Sequence, residues 1–591
     1  MRFIVRFLAV IGLIFILLIA GTVFAISRLH ISGRGPVPVA DNSVLSLTVE
    51  GPFTEELPVQ TGFAAAFTRR ASRLRDVISG IDRAAKDSRV KGLVVKIDAS
   101  PGLAQVQELR GAVGRFRAAG KFVYAYADDY GEETPGNGEY ALASAADQIW
   151  IQPLGEVTLA GITLEQPFLK DALAKLDIDP EFSKRAAYKT APETFTEKGY
   201  TPAAREMMES LANDLTMQLV SDIAQSRKLQ PDDVRQILAR GPIAANEATE
   251  AKLIDHVGYA DEVLAAARQV AGEGEKVVPV VDYAAATEPH GRANIALVYE
   301  TGTIGRAAGP IDPAKDEHDI ARGDTVLRGL AKAAADPSIK AIVLRVDSPG
   351  GSVSGSESVR RMVVKAKEAG KKVIVSMGAT AASGGYWISA DADKIVADPA
   401  TLTGSIGVFA GKFVVGKGLA DIGITTDRTS DGGYATMLSS FSPFTPEQLQ
   451  KLNASLDQIY DGFIARVAAG RKLPPAVVQQ SAGGRVWTGQ QAKERGLVDQ
   501  LGGLTDAEQM AHDLAGIPAD QPAMVAIYPK PLSPFAALRE LLGNGADMNG
   551  EAADAVAGLD GPLGDVARAV LPLFRKPEGA MARMPDLRIA Q

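Results

Sequence analysis

The stretch VISGIDRAAKDSRVKGLVVKID (Val77–Asp98) returns later in the chain as VLRGLAKAAADPSIKAIVLRVD (Val326–Asp347). In each copy apolar residues recur at i, i+4 and i+7: Val77, Ile81 and Ala84, then Val326, Leu330 and Ala333. That spacing predicts a helix with one buried face. A short Val/Ile-rich run follows, Leu93–Ile97 or Ile342–Val346, and reads as a buried strand. The repetition continues outward. VLSLTVE (residues 44–50) and IALVYE (295–300) open the copies as apolar strands. After the quoted stretch come a second helix, a Gly-Lys turn (Gly120-Lys121, Gly370-Lys371) and another strand (Phe122–Tyr126, Val373–Ser376). Short buried strands alternating with helices predict an α/β fold built from βαβ units. Long helices are expected over 202–229 and 446–473, each opening just after a Thr-Pro that supplies a cap and a first-turn proline.

Further on, GNGEYALASAADQIW (Gly136–Trp150) aligns with ASGGYWISADADKIV (Ala382–Val396), which sets Asn137 opposite Ser383. The same offset carries Lys189 opposite Ala435. One copy has a serine in a Gly-rich turn, and the other has a lysine where its partner has alanine. A duplicated domain that has divided these two residues suggests one composite site. The expected boundaries are a segment 1–27, a first repeat over 41–283, a linker over 284–292, a second repeat over 293–530 and a flexible tail over 531–591.

The 591 residues suit two domains of about 200–250 residues plus extras. A hydrophobic content of 46% and a charged content of 23% fit globular domains. The net charge of −8, with no basic stripe, argues against a nucleic-acid partner. Cysteine is absent, which removes disulfides, thiolate metal sites and cysteine nucleophiles together. The five histidines show no metal-ligand spacing and none lies in a Gly-rich turn. Neither a Ser-His-Asp triad nor a metal or other cofactor is expected. Phe7–Ile26 carries no charge over twenty residues, enough to cross a bilayer, and reads as a retained anchor rather than a cleaved signal peptide. Two arginines flank each end (Arg2 and Arg6, Arg28 and Arg34), so charge leaves the orientation open. The short leading stretch favours an anchor with the bulk outside the cytoplasm.

Ser383 follows the strand VIVSM and precedes a helix-like stretch, among small residues that let a peptide backbone come close. Unpaired N–H groups at a helix start can hold a developing oxyanion. A structural serine in a Gly-Ala turn is the alternative. Asp347-Ser348-Pro349-Gly350-Gly351 ends a strand, and the N–H of Gly350 or Gly351 is a candidate second donor. The first copy keeps a similar turn (Asp98–Gly102) without the double glycine. Lys189, within a stretch read as helical, becomes a usable base if burial lowers its pKa; a solvated surface lysine is the alternative. Ser405, in Thr403–Gly407, is placed to orient that amine or else is a plain turn residue.

Taken together, SPGGSVSGSE, MGATAASGGYWISADADKIVADPATLTGSIGVF and YKTAPETF resemble the signal peptide peptidase A family in its long, duplicated form. The resemblance runs from the anchor to about residue 525. It implies two tandem ClpP/crotonase-like domains after a transmembrane helix, and a Ser-Lys dyad with Ser383 as nucleophile and Lys189 as general base. Ser405 would position the lysine, and the backbone N–H groups of Gly384 and of Gly350 or Gly351 would form the oxyanion hole. It further implies a homotetramer on the periplasmic side of a bacterial inner membrane, acting on cleaved signal peptides and other hydrophobic peptides. One departure is Asp347, where many relatives carry Asn. Two other readings remain: a crotonase-like acyl-CoA enzyme, and a non-catalytic membrane scaffold or chaperone-like binder.

Overall fold

The computed structural model describes residues 39–56, 72–132, 134–272, 276–306, 325–529, 581–584 and 588–590. The expected anchor, Phe7–Ile26, lies outside the described residues. Among the described residues no helix is long and apolar enough to cross a membrane.

The repeated sequence folds into a repeated sheet. In the first copy six parallel strands run in the order Val277–Pro279, Ser43–Glu50, Val90–Ala99, Phe122–Ala127, Gln148–Ile151, His256–Val257. The second copy has the same parallel order: Val525–Ile527, Ile295–Thr301, Ala341–Ser348, Lys372–Ala382, Lys394–Ala397, Gln500–Leu501. It adds Leu402–Gly404, parallel to the end of Lys372–Ala382, and then Val486–Thr488, antiparallel. Helices Leu74–Lys86 and Thr325–Ala335 bury the expected faces, with Val77, Ile81, Leu330 and Ala333 fully enclosed. Strands buried on both faces need helices on both sides, which is why their sequences read as continuous apolar runs.

The long helices are Pro202–Arg227 and Pro446–Arg471. The Thr201 and Thr445 hydroxyls accept from Ala204 N–H and Gln448 N–H, so the Thr-Pro openings act as caps.

Three features depart from the sequence reading. Helix Val280–Ala286 runs into the stretch 284–292 read as a linker, because Ala284 is buried against Gly80 of the first repeat. The stretch before Lys189, read as helical, contains the strand Asp179–Lys184. It pairs antiparallel with Phe409–Val414 of the second repeat and so gains a ladder that local sequence does not announce. The stretch 531–591, read as a flexible tail, contains two strands, Met581–Arg583 and Arg588–Ala590, each completed by pairing with strands far away in sequence.

The repeats are also joined by charge. Arg345, fully buried on a second-repeat strand, donates to both Glu55 carboxylate oxygens (2.9 and 2.8 Å) and to Glu108 (2.5 Å), both first-repeat residues.

Candidate active site

Ser383 stands at the end of the strand Lys372–Ala382, immediately before the short helix Gly384–Ser389. Its N–H donates to Gly404 O (2.8 Å), and its carbonyl accepts from Trp387 N–H (2.8 Å). These bonds hold its backbone at φ 56° and ψ −111°. Such a conformation costs a residue with a Cβ about 1–3 kcal/mol, and survives only where the surroundings enforce it. Gly384 packs on the other glycine turn. A Cβ there would lie 3.1 Å from Gly350 Cα, 3.1 Å from Gly351 N and 2.6 Å from Ser356 Oγ. The two glycine turns expected to supply backbone N–H groups are therefore in contact. Gly350 N–H donates to Ser348 Oγ (3.1 Å), and Gly350 has φ 100°.

Lys189 arrives from the first repeat. The strand Asp179–Lys184 zips onto Phe409–Val414, with Lys184 opposite Phe409. Arg185 N–H then donates to Val408 O (2.9 Å) and Tyr188 N–H to Gly483 O (3.0 Å). The Lys189 backbone rests on Gly484, where a Cβ would fall 2.4 Å from Lys189 N and where φ is 80°. Only glycine satisfies both constraints. The side chain is fully buried. Its Nζ lies within hydrogen-bond distance of Ser383 Oγ (2.7 Å), Ser405 Oγ (3.0 Å) and Ser405 O (3.1 Å). Burial pushes the Lys189 amine well below the usual lysine range, since a charge removed from water without a carboxylate partner is strongly disfavoured. Ser405, itself at φ 50°, is held by its N–H on Arg485 O (2.7 Å).

All the singled-out residues thus converge: Ser383, Lys189, Ser405, Gly350, Gly351 and Gly384. His512, the buried described histidine, bonds Gln521 O and Asp513 elsewhere. Among the described residues no group of three or more His, Cys, Asp or Glu could hold a metal ion. The sequence reading missed Gly484 and Gly407, which make room for Lys189. The paired glycines Gly483-Gly484 before the strand Val486–Thr488 were the available signal. It also missed a buried apolar cluster next to the serine, where Ala382, Leu402 and Val486 meet Met207 and Leu211 from helix Pro202–Arg227, and Met584. Those methionine and leucine positions carry no mark that separates a neighbour of the site from any other core face.

A strained serine within hydrogen-bond distance of a buried lysine has the chemistry for nucleophilic acyl transfer. Residues 115–273 and 365–518, one stretch in each repeat, match peptidase family S49. "Protease 4" of Salmonella typhi is 34% identical over 469 residues, covering 77% of this chain and 74% of that protein. "Protease 4" of Haemophilus influenzae is 35% identical, covering 74% and 72%. "Serine protease SPPA, chloroplastic" of Arabidopsis thaliana is 28% identical, covering 94% and 79%. Among solved structures, a point mutant of ClpP1 from Listeria monocytogenes covers 36% of this chain and 94% of that one, at 14% identity and a TM-score of 0.23. The protein is a serine protease. It belongs to peptidase family S49, with the family's domain present twice.

Proposed function

We propose that this chain is a membrane-anchored endopeptidase whose Ser-Lys dyad is shared between its repeats, and that it degrades cleaved signal peptides and other hydrophobic peptides in a bacterial envelope. The observation that carries this reading is the 2.7 Å contact between Lys189 Nζ and Ser383 Oγ in a fully buried site. A neutral Lys189 accepts the Ser383 proton as Oγ attacks a peptide carbonyl. The carbonyl oxygen becomes an oxyanion, held by backbone N–H groups from Gly384 and from Gly350 or Gly351. Collapse breaks the C–N bond, the lysine proton passes to the leaving amine, and an ester on Ser383 remains. Water then attacks the ester while Lys189 takes its proton, and that proton returns to Ser383 as the acid product leaves. Ser405 fixes the amine through its hydroxyl and carbonyl. The apolar cluster beside Ser383 supports a preference for hydrophobic peptides.

A single pass through the inner membrane by Phe7–Ile26, with the catalytic repeats on the periplasmic side and four copies assembled, completes the proposal. Hydrolysis of a hydrophobic fluorogenic peptide by the detergent-solubilised protein, beside Ser383→Ala and Lys189→Ala, tests it. Loss of turnover in both variants with unchanged melting temperature is the expected result. Full turnover in a folded Lys189→Ala chain refutes the dyad. Spheroplasts that shield the repeats from added protease refute the periplasmic placement.

A further inference from the structure

One arginine touches both the residue before the lysine and the residue that orients its amine. Arg485 lies between the paired glycines that make room for Lys189 and the strand Val486–Thr488. Its carbonyl accepts from Ser405 N–H at 2.7 Å, so its backbone fixes the residue whose hydroxyl and carbonyl face the Lys189 amine. Its side chain reaches the first repeat. Nη1 and Nη2 donate to the two carboxylate oxygens of Glu206, at 2.5 and 2.8 Å, on helix Pro202–Arg227. The guanidinium carbon lies 4.9 Å from the centre of the Tyr188 ring and 4.4 Å from that of Trp487. Tyr188 immediately precedes Lys189. Arg485, aided by the Tyr188 hydroxyl, holds the Glu206 carboxyl below the usual carboxylate range.

The approach to Lys189 needs such a hold. After strand Asp179–Lys184 the chain passes through Ala186 and Ala187, both exposed, with Ala186 at φ 70°. Backbone bonds from Arg185 and Tyr188 anchor this crossing at two points. The Tyr188 ring adds a side-chain grip next to Lys189, packed on the apolar cluster beside Ser383 and facing the guanidinium. Trp487 is fixed in turn. Its Nε1 donates to Ser481 O at 2.8 Å, and the Arg495 guanidinium lies 3.6 Å from its ring centre. A Cβ on Gly404, the neighbour of Ser405, would stand 2.8 Å from Trp487 Cδ1. A planar cation that is bidentate on a carboxylate and faces two rings suits arginine and not lysine. The Glu206 side chain is 52% exposed, so the ion pair contributes little stability. Its effect is geometric, and a displacement of about 1 Å near reacting groups costs about 10²-fold in rate.

We propose that Arg485 is a positioning residue for the dyad: it ties Tyr188 of the first repeat to Ser405 of the second and thereby fixes the Lys189 amine against Ser383. This proposal rests on the peptidase reading above. It makes Arg485 act on proton transfer and not on peptide binding. Loosening the clamp admits water to the amine and returns part of its usual basicity.

The test measures kcat and KM for the fluorogenic peptide across pH in the full chain, Arg485→Met, Arg485→Lys, Glu206→Gln and Tyr188→Leu. Arg485→Met should lower kcat about 10–100-fold at neutral pH with KM within about twofold. Its acid limb should move to higher pH, so that the loss shrinks in alkali. Arg485→Lys keeps the charge and should show the same displacement to a smaller degree, because an ammonium cannot face both rings while bonding both oxygens. Glu206→Gln alters a half-exposed residue and should displace the limb in the same direction, which keeps the test open if Arg485→Met melts early. Arg485→Met combined with Tyr188→Leu should lose no more than about the larger single loss, since both act through one contact. A wild-type kcat in Arg485→Met, an equal loss at every pH, full recovery in Arg485→Lys, or multiplied losses in the double variant each overturn the proposal. Urea unfolding across pH reads the Lys189 ionisation without turnover. Burial lowers that amine, so stability rises with pH between its folded and unfolded pKa values, and this range should be narrower in Arg485→Met. An inactive parent with that narrowing would sink the peptidase reading and leave the clamp standing. An active parent without it would do the reverse.

Discussion

The two repeats share a six-stranded parallel sheet in the same order, yet one strand end is a surface feature in the first and the centre of the molecule in the second. Lys96 and Asp98 of the first copy pair with each other at 2.8 Å in partial contact with solvent. Of their counterparts, Asp347 is half-buried and Arg345 is fully enclosed, reaching into the first repeat to Glu55 and Glu108. Asn137 and Ser383 differ in the same way. Asn137 Nδ2 donates to Gly161 O (2.7 Å) and its Oδ1 accepts from Ala160 N–H (3.2 Å), so the asparagine staples a loop. Ser383 gives up that role and points its hydroxyl at Lys189. Helices Leu103–Ala118 and Val353–Glu368 are sixteen residues each, and counting back from them puts Pro101 opposite Gly351. Proline has no N–H, so the first copy lacks a backbone donor at the position of Gly351. The duplication kept the scaffold and left the double glycine in one copy alone.

The largest expected contrast is kinetic. Ser383→Ala should lower kcat/KM by at least about 10⁴-fold. Asn137→Ala should leave it nearly unchanged while costing about 1–3 kcal/mol of stability, read by denaturant unfolding. Equal kinetic losses would break the division of labour. Lys189→Met should abolish turnover as well, but by a different route visible in pH. Because the folded protein holds Lys189 neutral further below the usual range than the unfolded chain does, the unfolded state binds the extra proton. Wild-type stability therefore rises with pH between the folded and unfolded pKa values of this lysine. The methionine variant should lose that slope and melt no lower than wild type at neutral pH. The activity of wild type should rise with pH through the same lowered ionisation.

Next comes the buried ion pair. Arg345→Met leaves two carboxylates in the interior and should cost about 3–5 kcal/mol. Lys96→Met should cost under about 1 kcal/mol. Urea midpoints of the two variants sharpen the comparison, and similar values would refute it. Asp347 gives a smaller effect of opposite sign. Burial, with Glu55 adding repulsion, raises it to about 6 despite the Thr380 N–H it accepts. A carboxyl raised on folding stabilises fully below its unfolded pKa, and that contribution is lost as pH rises through about 6. Asp347→Asn should therefore gain about 1–3 kcal/mol above pH 6 and nothing near pH 3. Smallest is Ser405→Ala. It removes one of the two Ser405 contacts to Nζ and should lower kcat/KM about tenfold with KM unchanged.

The doubled helical and strand patterns made the sheet readable without coordinates, because burial faces repeat with fixed periods in both copies. The serine and its glycines were readable for the same reason: a difference between near-identical turns stands out. Lys189 was readable only through the alignment. Its approach along Asp179–Lys184 was not, since DPEFSK lacks the alternation of a strand and extends only through pairing with Phe409–Val414. Met581–Arg583 and Arg588–Ala590 were hidden on the same grounds, being short and complete only when docked. Glu55 and Glu108 carry no local mark of burial, because their partner, Arg345, sits 290 and 237 residues away.

The strand that carries Lys189 across to the second repeat also sets a clock. The lysine is made 194 residues before the serine it meets. At about 5–20 residues per second, synthesis takes roughly 10–40 s to pass from one to the other. Through that interval the nascent first repeat holds a proton acceptor with nothing to activate, and the emerging second repeat holds a hydroxyl with no acceptor. Only when Asp179–Lys184 zips onto Phe409–Val414 do the two meet. A chain stalled or truncated in either half lacks one of the two groups that the proposed mechanism needs.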